Sequence, residues 1–485
     1  MKQISIKKNF LMNALLSLSN ALFPLVTYFY VARILLTVGM GKVTFATSLV
    51  VWFSMFAQLG IPEYGVRAAA KARDSREELT RTAHELLLIN LIMNAAVYLI
   101  FFLALATVPR LQGEKTLYLL MSVSILLTSL GMEWLYKGLE QYAYIALRSI
   151  ACKLIALVMV FLLVKEEKDY VVYGVLSIFA ASASNILNLV FARKYIGFRP
   201  VGKYNLLRHI KPVLIFFAMA CATTVYTNLD VLMLGFLRSE ADVGIYNASV
   251  RVKSLLVSVI TSLGTVMLPR AAYYVHHGRM VDFQSMSRKA LHLVFLAAAP
   301  CMVFFFLFAQ PAIGLLSGPD FLPAVRPMRV LMPTLLLIGI TNILGIEIMV
   351  PTDRERYVLY SVVAGAAIDL VLNAVLIPPY SATGAAVSTL IAEGAVLLIQ
   401  LWFLRKEVRT VFTGIAYGKI LLSLLPAVVA SFWLGKVPWG NFATLLLAAP
   451  LFFGAYGGTL LLLREPMATA AWGMTMKMMK KWIRK

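Results

Sequence analysis

Arg251 and Asp230 stand inside long apolar stretches, where an ionised side chain costs several kcal/mol unless it is paired or faces water. A guanidinium so placed is suited to hold an anion, with bidentate geometry for phosphate oxygens. Asp230 continues a line through Thr223 and Thr227. Arg251 belongs to another, with Asn247, Ser254, Ser258, Ser262 and Thr265. The three-to-four spacing keeps each set on one helix face. Asn13, Ser17, Asn20 and Thr27 form a third stripe, with Pro24 set to kink it. Such stripes serve either a water-lined cavity or hydrogen bonding between helices. Lys253 lies two residues from Arg251, roughly 200° round the helix, so the two cannot face one lumen. Asp369 and Glu393 are further carboxylates in apolar stretches, suited to a coupling proton or sodium ion or to pairing with a cation. Covalent and metal chemistry find no pattern. His84, His209, His276, His277 and His292 make no HExxH or comparable set, and no P-loop is present. Cys152, Cys221 and Cys301 read as small core residues.

The elements that hold these residues are set by the apolar blocks between charges. The chain has 485 residues, 60% hydrophobic and 14% charged, against roughly a quarter charged for a soluble domain. Blocks of about twenty apolar residues match a hydrocarbon core of roughly 30 Å, and in lipid such segments must be helices because every backbone group needs an internal partner. Helices are expected near 10–32, 43–60, 84–106, 117–136, 146–164, 171–192, 212–236, 244–267, 289–309, 329–349, 357–377, 383–403, 415–435 and 441–463. The expected fold is therefore an all-α membrane protein of about 14 transmembrane helices. The net charge of +22 follows this topology and does not point to nucleic acid. With both termini in the cytoplasm, about 33 of the 45 Lys and Arg fall inside and about 10 outside, the positive-inside pattern. The first apolar segment is too long for a cleaved signal and reads as an anchor. Outside loops are short (34–42, 107–116, 165–169, 237–243, 310–328, 378–382 and 436–440), which leaves no room for an external catalytic domain. The terminal segment 477–485, with Trp472 and Trp482, reads as a basic interfacial helix against anionic lipid.

An internal duplication organises the helices. Phe45 and Tyr246, Arg67 and Arg270, Gly131 and Gly345, and Tyr142 and Tyr357 sit in similar local runs, at separations of 201, 203, 214 and 215 residues. Order and spacing hold together, which gives two six-helix halves, 1–211 and 212–410, with helices 13 and 14 and the basic tail in 411–485. An even helix count per repeat leaves both halves in one orientation, so the pseudo-two-fold lies along the membrane normal.

Gly60-Ile-Pro-Glu-Tyr64-Gly65-Val-Arg67 with Lys71, Arg73 and Asp74, and Glu133-Trp134 with Gly138 and Glu140, resemble the loops after helices 2 and 4 of polysaccharide-unit (Wzx-type) flippases. Tyr226, Asn228, Asp230, Met233, Gly235, Val243, Gly244, Tyr246, Ala248, Pro269 and Arg270 continue that similarity, which covers most of the chain. It departs from the family at Leu35-Leu36 and Met40-Gly41 after helix 1, at Glu347 where Gln is usual, and at Asp369 where Asn is common. The resemblance implies the polysaccharide transport branch of the multidrug/oligosaccharidyl-lipid/polysaccharide exporter superfamily, in a bacterial inner membrane. It implies that an oligosaccharide on undecaprenyl pyrophosphate crosses from the cytoplasmic to the outer leaflet by alternating access. A polysaccharide polymerase and chain-length machinery are the partners this implies. Coupling to a proton or sodium gradient, without a bound cofactor, is an expectation that rests on Asp369 and Glu393, since the departures keep substrate identity and ion coupling from being carried over. The competing readings are a multidrug or metabolite exporter, a lipid II flippase and, from another class, a membrane glycosyltransferase.

Such a task requires a cationic, hydroxyl-lined cavity for pyrophosphate and sugars while the polyprenyl tail stays in lipid. The expected cavity residues are Arg33, Arg148, Lys153, Asp230, Arg251, Lys253, Lys419, Asn13, Asn20 and Asn228. Lys419 and Lys436 are the charges of the last two helices, which otherwise suit a groove for the tail. Arg67 and Arg270 occupy equivalent positions in the two halves, as do Glu133 and Glu347. They are expected to form a two-fold set of gate ion pairs, with Arg67 and Arg270 also eligible as phosphate contacts. Asp369 and Glu393 are the expected ion-coupling groups, and no metal site is expected.

Overall fold

A computed structural model describes residues 6–483, and within it the side chains of 6–11, 14, 21, 263–266, 408–409, 436, 474–475 and 477–483 stand outside the description. Thr265, Lys436, Trp482 and the terminal cations of 477–485 therefore lie outside the described residues.

Every regular element among the described residues is helical. The first unit, Met1–Gly244, holds α1 (Ile6–Gln58), α2 (Ile61–Ala72), α3 (Arg76–Thr107), α4 (Pro109–Gln112), α5 (Lys115–Leu130), α6 (Glu133–Gly138), α7 (Tyr142–Leu163), α8 (Tyr170–Ser182), α9 (Ser184–Ala192) and α10 (Leu207–Leu237). Helix α11 (Glu240–His276) begins there and runs into the second unit, Ile245–Lys485. That unit continues with α12 (Met280–Leu307), α13 (Ala309–Leu316), α14 (Val325–Leu331), α15 (Thr334–Asn342), a π-helical turn Ile343–Met349, α16 (Glu355–Phe403), α17 (Arg405–Phe412), α18 (Tyr417–Ser431), α19 (Asn441–Leu462) and α20 (Pro466–Ile483). Eleven described helices are long and apolar enough to cross a membrane, or twelve if the pair Pro319–Leu331 and Thr334–Met349, bent by 46°, is one span.

Two of the long helices are broken inside. Leu36 takes φ 56° and ψ −169° within α1, and Ser381 takes φ 51° and ψ −133° within α16. A Cβ on Gly384 would overlap the carbonyl oxygen of Leu376, although eight residues of straight helix rise about 12 Å. The backbone therefore folds back at Ser381. At the first break a Cβ on Gly39 would lie 3.0 Å from Cβ of Leu35. Both breaks fall in segments expected as outside loops, 34–42 and 378–382.

Polarity is arranged for lipid. Leu99, Ile100 and Leu103 of α3 and Leu421, Leu422, Leu425 and Val429 of α18 are exposed, while Asn90, Asn94, Ser122, Ser129 and Asn188 are buried. A surface this apolar is a liability in water and an asset in a bilayer. The start of α3 is fixed locally: the Ser75 hydroxyl accepts from the Glu78 amide, and Glu77 and Glu78 lie in the first turn, where the helix dipole favours anions.

The two compact units do not coincide with the expected repeat boundaries at 211 and 410. Helix α10, expected to open the second half at 212, packs within the first unit, whose limit falls at Gly244. Aromatic contacts explain it. Phe236 meets Phe45 edge to face at 5.2 Å and Phe217 meets Phe56 at 5.6 Å, while the carbonyl of Asn228 accepts from Ser48. Residues 411–485 belong to the second unit, in which α18 and α19 pack together.

Candidate functional site

Two motifs after the second and fourth expected helices are brought together by glycine. A Cβ on Gly65 of α2 would fall 2.5 Å from the Trp134 ring of α6, and one on Gly138 would fall 2.7 Å from Ala69. Absence of side chains at these two positions lets α2 and α6 approach, as small residues do between membrane helices. That contact sets Glu133 at the start of α6, and α7 follows directly.

Helix α7 carries the cations. The Arg148 guanidinium, 4% exposed, lies 3.5 Å from the Glu133 carboxylate and donates to the Ser184 carbonyl. The rings of Tyr144 and Tyr136 flank it at 5.4 and 6.0 Å. Its Nε and Nη2 have no hydrogen-bond acceptor within the described protein. Five residues on, the buried Lys153 donates to Ser19 at 3.3 Å and to the Asn20 side-chain oxygen, both on α1. Glu133 also pairs with Lys137 at 2.9 Å. Arg148, Lys153, Asn20 and Glu133 are thus assembled into one cationic seam between α1, α6 and α7, with Asn13 exposed two helical turns before Asn20. A buried guanidinium with a spare Nε donor, beside the more exposed Asn20 and Glu133, forms a place where an anionic oxygen can be held.

A cavity of about 400 Å³ lies in the same unit, with Thr47, Ser54, Gln58, Glu63, Thr128 and Ser177 in its lining. Four hydroxyls of the polar stripes on α10 and α11 bond within their own helices. Thr223 and Thr227 donate to the carbonyls of Met219 and Thr223, and Ser258 and Ser262 to those of Leu255 and Val259. Asn228 donates to Thr227.

Other expected residues are placed elsewhere. Arg33 is exposed on α1 and donates to the Phe29 carbonyl, and Asp230 is half-buried on α10. Arg251 and Lys253 are half-buried on α11. Lys419 donates to the Arg464 carbonyl at 3.0 Å, so it caps the C-terminal end of α19, where a cation opposes the helix dipole. Of the expected gate residues, Arg67 is exposed and Arg270 donates to the Tyr274 hydroxyl at 3.0 Å. Glu133 is taken by Lys137 and Arg148, and Glu347 has no ion-pair or hydrogen-bond partner among the described residues. Asp369 accepts from Asn373 at 3.0 Å one turn along α16, and Glu393 is buried on the same helix. No group of three or more metal-ligating side chains occurs among the described residues.

One charged cluster escaped the sequence reading. Glu85 of α3 is fully buried and accepts from the Asn205 amide at 2.7 Å, from Arg208 Nε at 2.9 Å and from His209 Nε2 at 2.8 Å, with Arg81 Nε at 3.3 Å. The Nδ1 of His209 lies 2.8 Å from the Tyr64 hydroxyl. Since the carboxylate only accepts, Nε2 carries the proton and Nδ1 accepts from tyrosine. Tyr64 of the α2 motif is thereby tied to the start of α10. In the second unit His292 of α12 lies 2.9 Å from the buried Glu465, which also accepts from the Ala468 amide at the start of α20. The only sequence signal was the i, i+4 pair Arg81 and Glu85.

A family model described as "Polysaccharide biosynthesis protein" matches residues 6–275, more than half the chain. The chain belongs to that family. Its second half also matches the "MatE" model over residues 215–375, and the two together place it in the multidrug/oligosaccharidyl-lipid/polysaccharide exporter superfamily. It is 23% identical over 408 residues to the "Putative O-antigen transporter" of Escherichia coli (strain K12), covering 84% of this chain and 98% of that one. The solved structure titled "Lipid II flippase MurJ, inward closed conformation" aligns with TM-score 0.74 at 16% identity, over 94% of this chain and all of the other. An inward-facing multidrug resistance MATE family transporter aligns with TM-score 0.64 at 13% identity, over 81% and 96%. These two likenesses show the fold, a multi-pass membrane architecture.

Proposed function

We propose that this family member is a flippase that moves an oligosaccharide on undecaprenyl pyrophosphate from the cytoplasmic to the outer leaflet by alternating access. The observation that carries the reading is the buried Arg148 with unsatisfied donors, beside Lys153, in a chain of this family. A pyrophosphate headgroup is the anion such donors fit, and the hydroxyl-bearing cavity of the first unit suits the attached sugars. The apolar outer faces would keep the polyprenyl tail in lipid.

The reading includes a topology. Each of the two broken helices crosses twice, turning at Leu36 and Ser381, so that twelve spans become fourteen with both termini in the cytoplasm of a bacterial inner membrane. A polysaccharide polymerase would receive the product. The second reading, a multidrug or metabolite exporter, rests on the MatE match to residues 215–375. A lipid II flippase is the third, and it shares the fold.

The deciding experiment follows lipid-linked oligosaccharide in a strain that lacks this protein and has no redundant flippase. A membrane-impermeant sugar-modifying enzyme reports sidedness. Units held on the cytoplasmic face, released by the wild type and not by Arg148→Ala, would establish the reading. Units that reach the outer face at the normal rate without the protein would overturn it in favour of small-molecule export.

A further inference from the structure

Glu347 stands apart from every other acidic side chain described. It is 0% exposed, it lies in the π-helical turn Ile343–Met349, and neither carboxylate oxygen has a partner among the described residues. The turn ends the second arm of the pair bent by 46°. A π turn widens the helix, is retained at a cost in packing and is frequent at functional sites.

Hydrogen-bond accounting around this turn shows a shortage of donors. The side-chain oxygen of Asn342, one π turn earlier, is buried without a donor, and so is that of Gln400 on α16. The Gln400 nitrogen is committed to Ser361 at 3.2 Å and lies 3.4 Å from where a Cβ of Gly345 would be. Buried acceptors therefore outnumber donors at the turn. An ionised Glu347 would add two more acceptors and an unpaired charge, which is the costliest arrangement available. Protonation removes the charge and supplies an O–H donor.

The elements packed against the turn offer no countercharge. They are α12, α15 and α16. Helix α15 has no titratable side chain. Of the groups on α12, His292 is engaged with Glu465, Arg288 donates to the Thr410 carbonyl and Asp282 pairs with Arg279, leaving Lys289 and Cys301, neither with a contact to Glu347. On α16, Tyr357 stacks on Phe403 and Asp369 bonds to Asn373, while Glu355, Arg356, Tyr360, Tyr380 and Glu393 are the remaining groups. Nearby Arg354 is paired with Glu407 at 2.8 Å.

We propose that Glu347 is a reversible proton site of the second unit, protonated in the conformation described, and that its loading and release couple transport to a proton gradient. The carboxylate takes one proton from the aqueous phase and returns one, with no other bond made or broken. A sodium ion is the competing occupant, since the orphaned oxygens of Asn342 and Gln400 are also buried near this turn, and the comparison of salts below separates the two. The coupling part rests on the flippase reading; the proton site does not.

The site is tested by infrared difference spectroscopy on the full-length protein in lipid nanodiscs, wild type against Glu347→Gln, at several pH values in potassium or sodium salt. The expected difference at neutral pH is one protonated carboxyl signal in the wild type, which converts to carboxylate as pH rises and is the same in both salts. A carboxylate signal alone at neutral pH, or one that shifts with sodium, would overturn the proposal. Coupling is tested in proteoliposomes with a lipid-linked oligosaccharide. For one proton per lipid, a gradient of one pH unit shifts the leaflet ratio about tenfold. Glu347→Gln should leave the ratio unmoved, and Glu347→Asp should restore part of the response. An equal response in Glu347→Gln would refute coupling through this residue. If the wild type moves no such lipid at all, the flippase reading falls, and the infrared titration alone decides the proton site.

Discussion

At the scale of single residues, Arg148 shows why a buried cation in a membrane protein is informative. Its guanidinium is held by a carbonyl, a carboxylate and two aromatic rings, yet Nε has no acceptor among the described residues and Nη2 has only its 3.5 Å contact with Glu133. Arg148→Lys keeps the charge and removes the planar fork. Flipping should fall about tenfold or more while expression and detergent monodispersity stay at wild-type level. An unchanged rate would exclude Arg148 from the substrate path. Glu85 is the opposite case, with its oxygens engaged by several donors. Glu85→Gln leaves Arg208 and Arg81 without their anion, and breaking such a buried pair costs about 3 kcal/mol. The thermal midpoint should therefore drop clearly, whereas Glu78→Gln on the exposed first turn of α3 should barely move it. Arg148, Lys153 and Asn20 stand out in the sequence because each is polar inside an apolar block, whereas Glu133, expected in a gate pair, meets Lys137 and Arg148 instead. His209 and Glu85 were not legible, because 124 residues separate the two partners. The bond from Lys419 to the carbonyl of Arg464 was not legible either, since no side-chain pattern reveals a backbone partner.

At the scale of elements, the α2–α6 contact turns two sequence motifs into one piece of structure. Gly138 has no room for a side chain, with Ala69 Cβ at 2.7 Å and the Val66 carbonyl at 2.9 Å from the place of its Cβ. Gly138→Val should destabilise by overpacking, about 1–3 kcal/mol, and displace Glu133 from Arg148. Gly113→Ala is the control, since nothing lies within 4 Å of that position. Thermal unfolding followed by fluorescence would show a lowered midpoint for the first and none for the second. Equal midpoints would mean that α2 and α6 do not need their close approach. Helix positions were legible from the apolar blocks, and even the breaks near Leu36 and Ser381 fell in segments expected as loops. The allegiance of α10 was not legible. It depends on Phe217 and Phe236 meeting Phe56 and Phe45, and hydropathy does not distinguish a ring that faces another helix from one that faces lipid.

At the scale of the whole molecule, helix length decides the topology. Helix α1 has 53 residues and α16 has 49, which as straight rods would be about 80 and 74 Å long. The hydrocarbon core is roughly 30 Å thick, so a single crossing would leave more than half of each apolar rod in water. Folding back at Leu36 and Ser381 removes that mismatch, and the topology proposed above predicts that residues beside each turn are reached from outside. Val38, 39% exposed, and Tyr380, 63% exposed, flank those turns. In a chain with Cys152, Cys221 and Cys301 replaced by serine, Val38→Cys and Tyr380→Cys should each react with a membrane-impermeant maleimide added outside intact cells. A cysteine placed at exposed Arg73, in the loop between α2 and α3, should react only after the membrane is opened. Protection of position 38 or 380 from the outside reagent, with reaction from the cytoplasmic face instead, would refute the fold-back crossing. It would also reverse the membrane side assigned to the Arg148 seam, because α1 and α7 are joined near that turn through the bond from Tyr30 to the Val164 carbonyl at 3.0 Å.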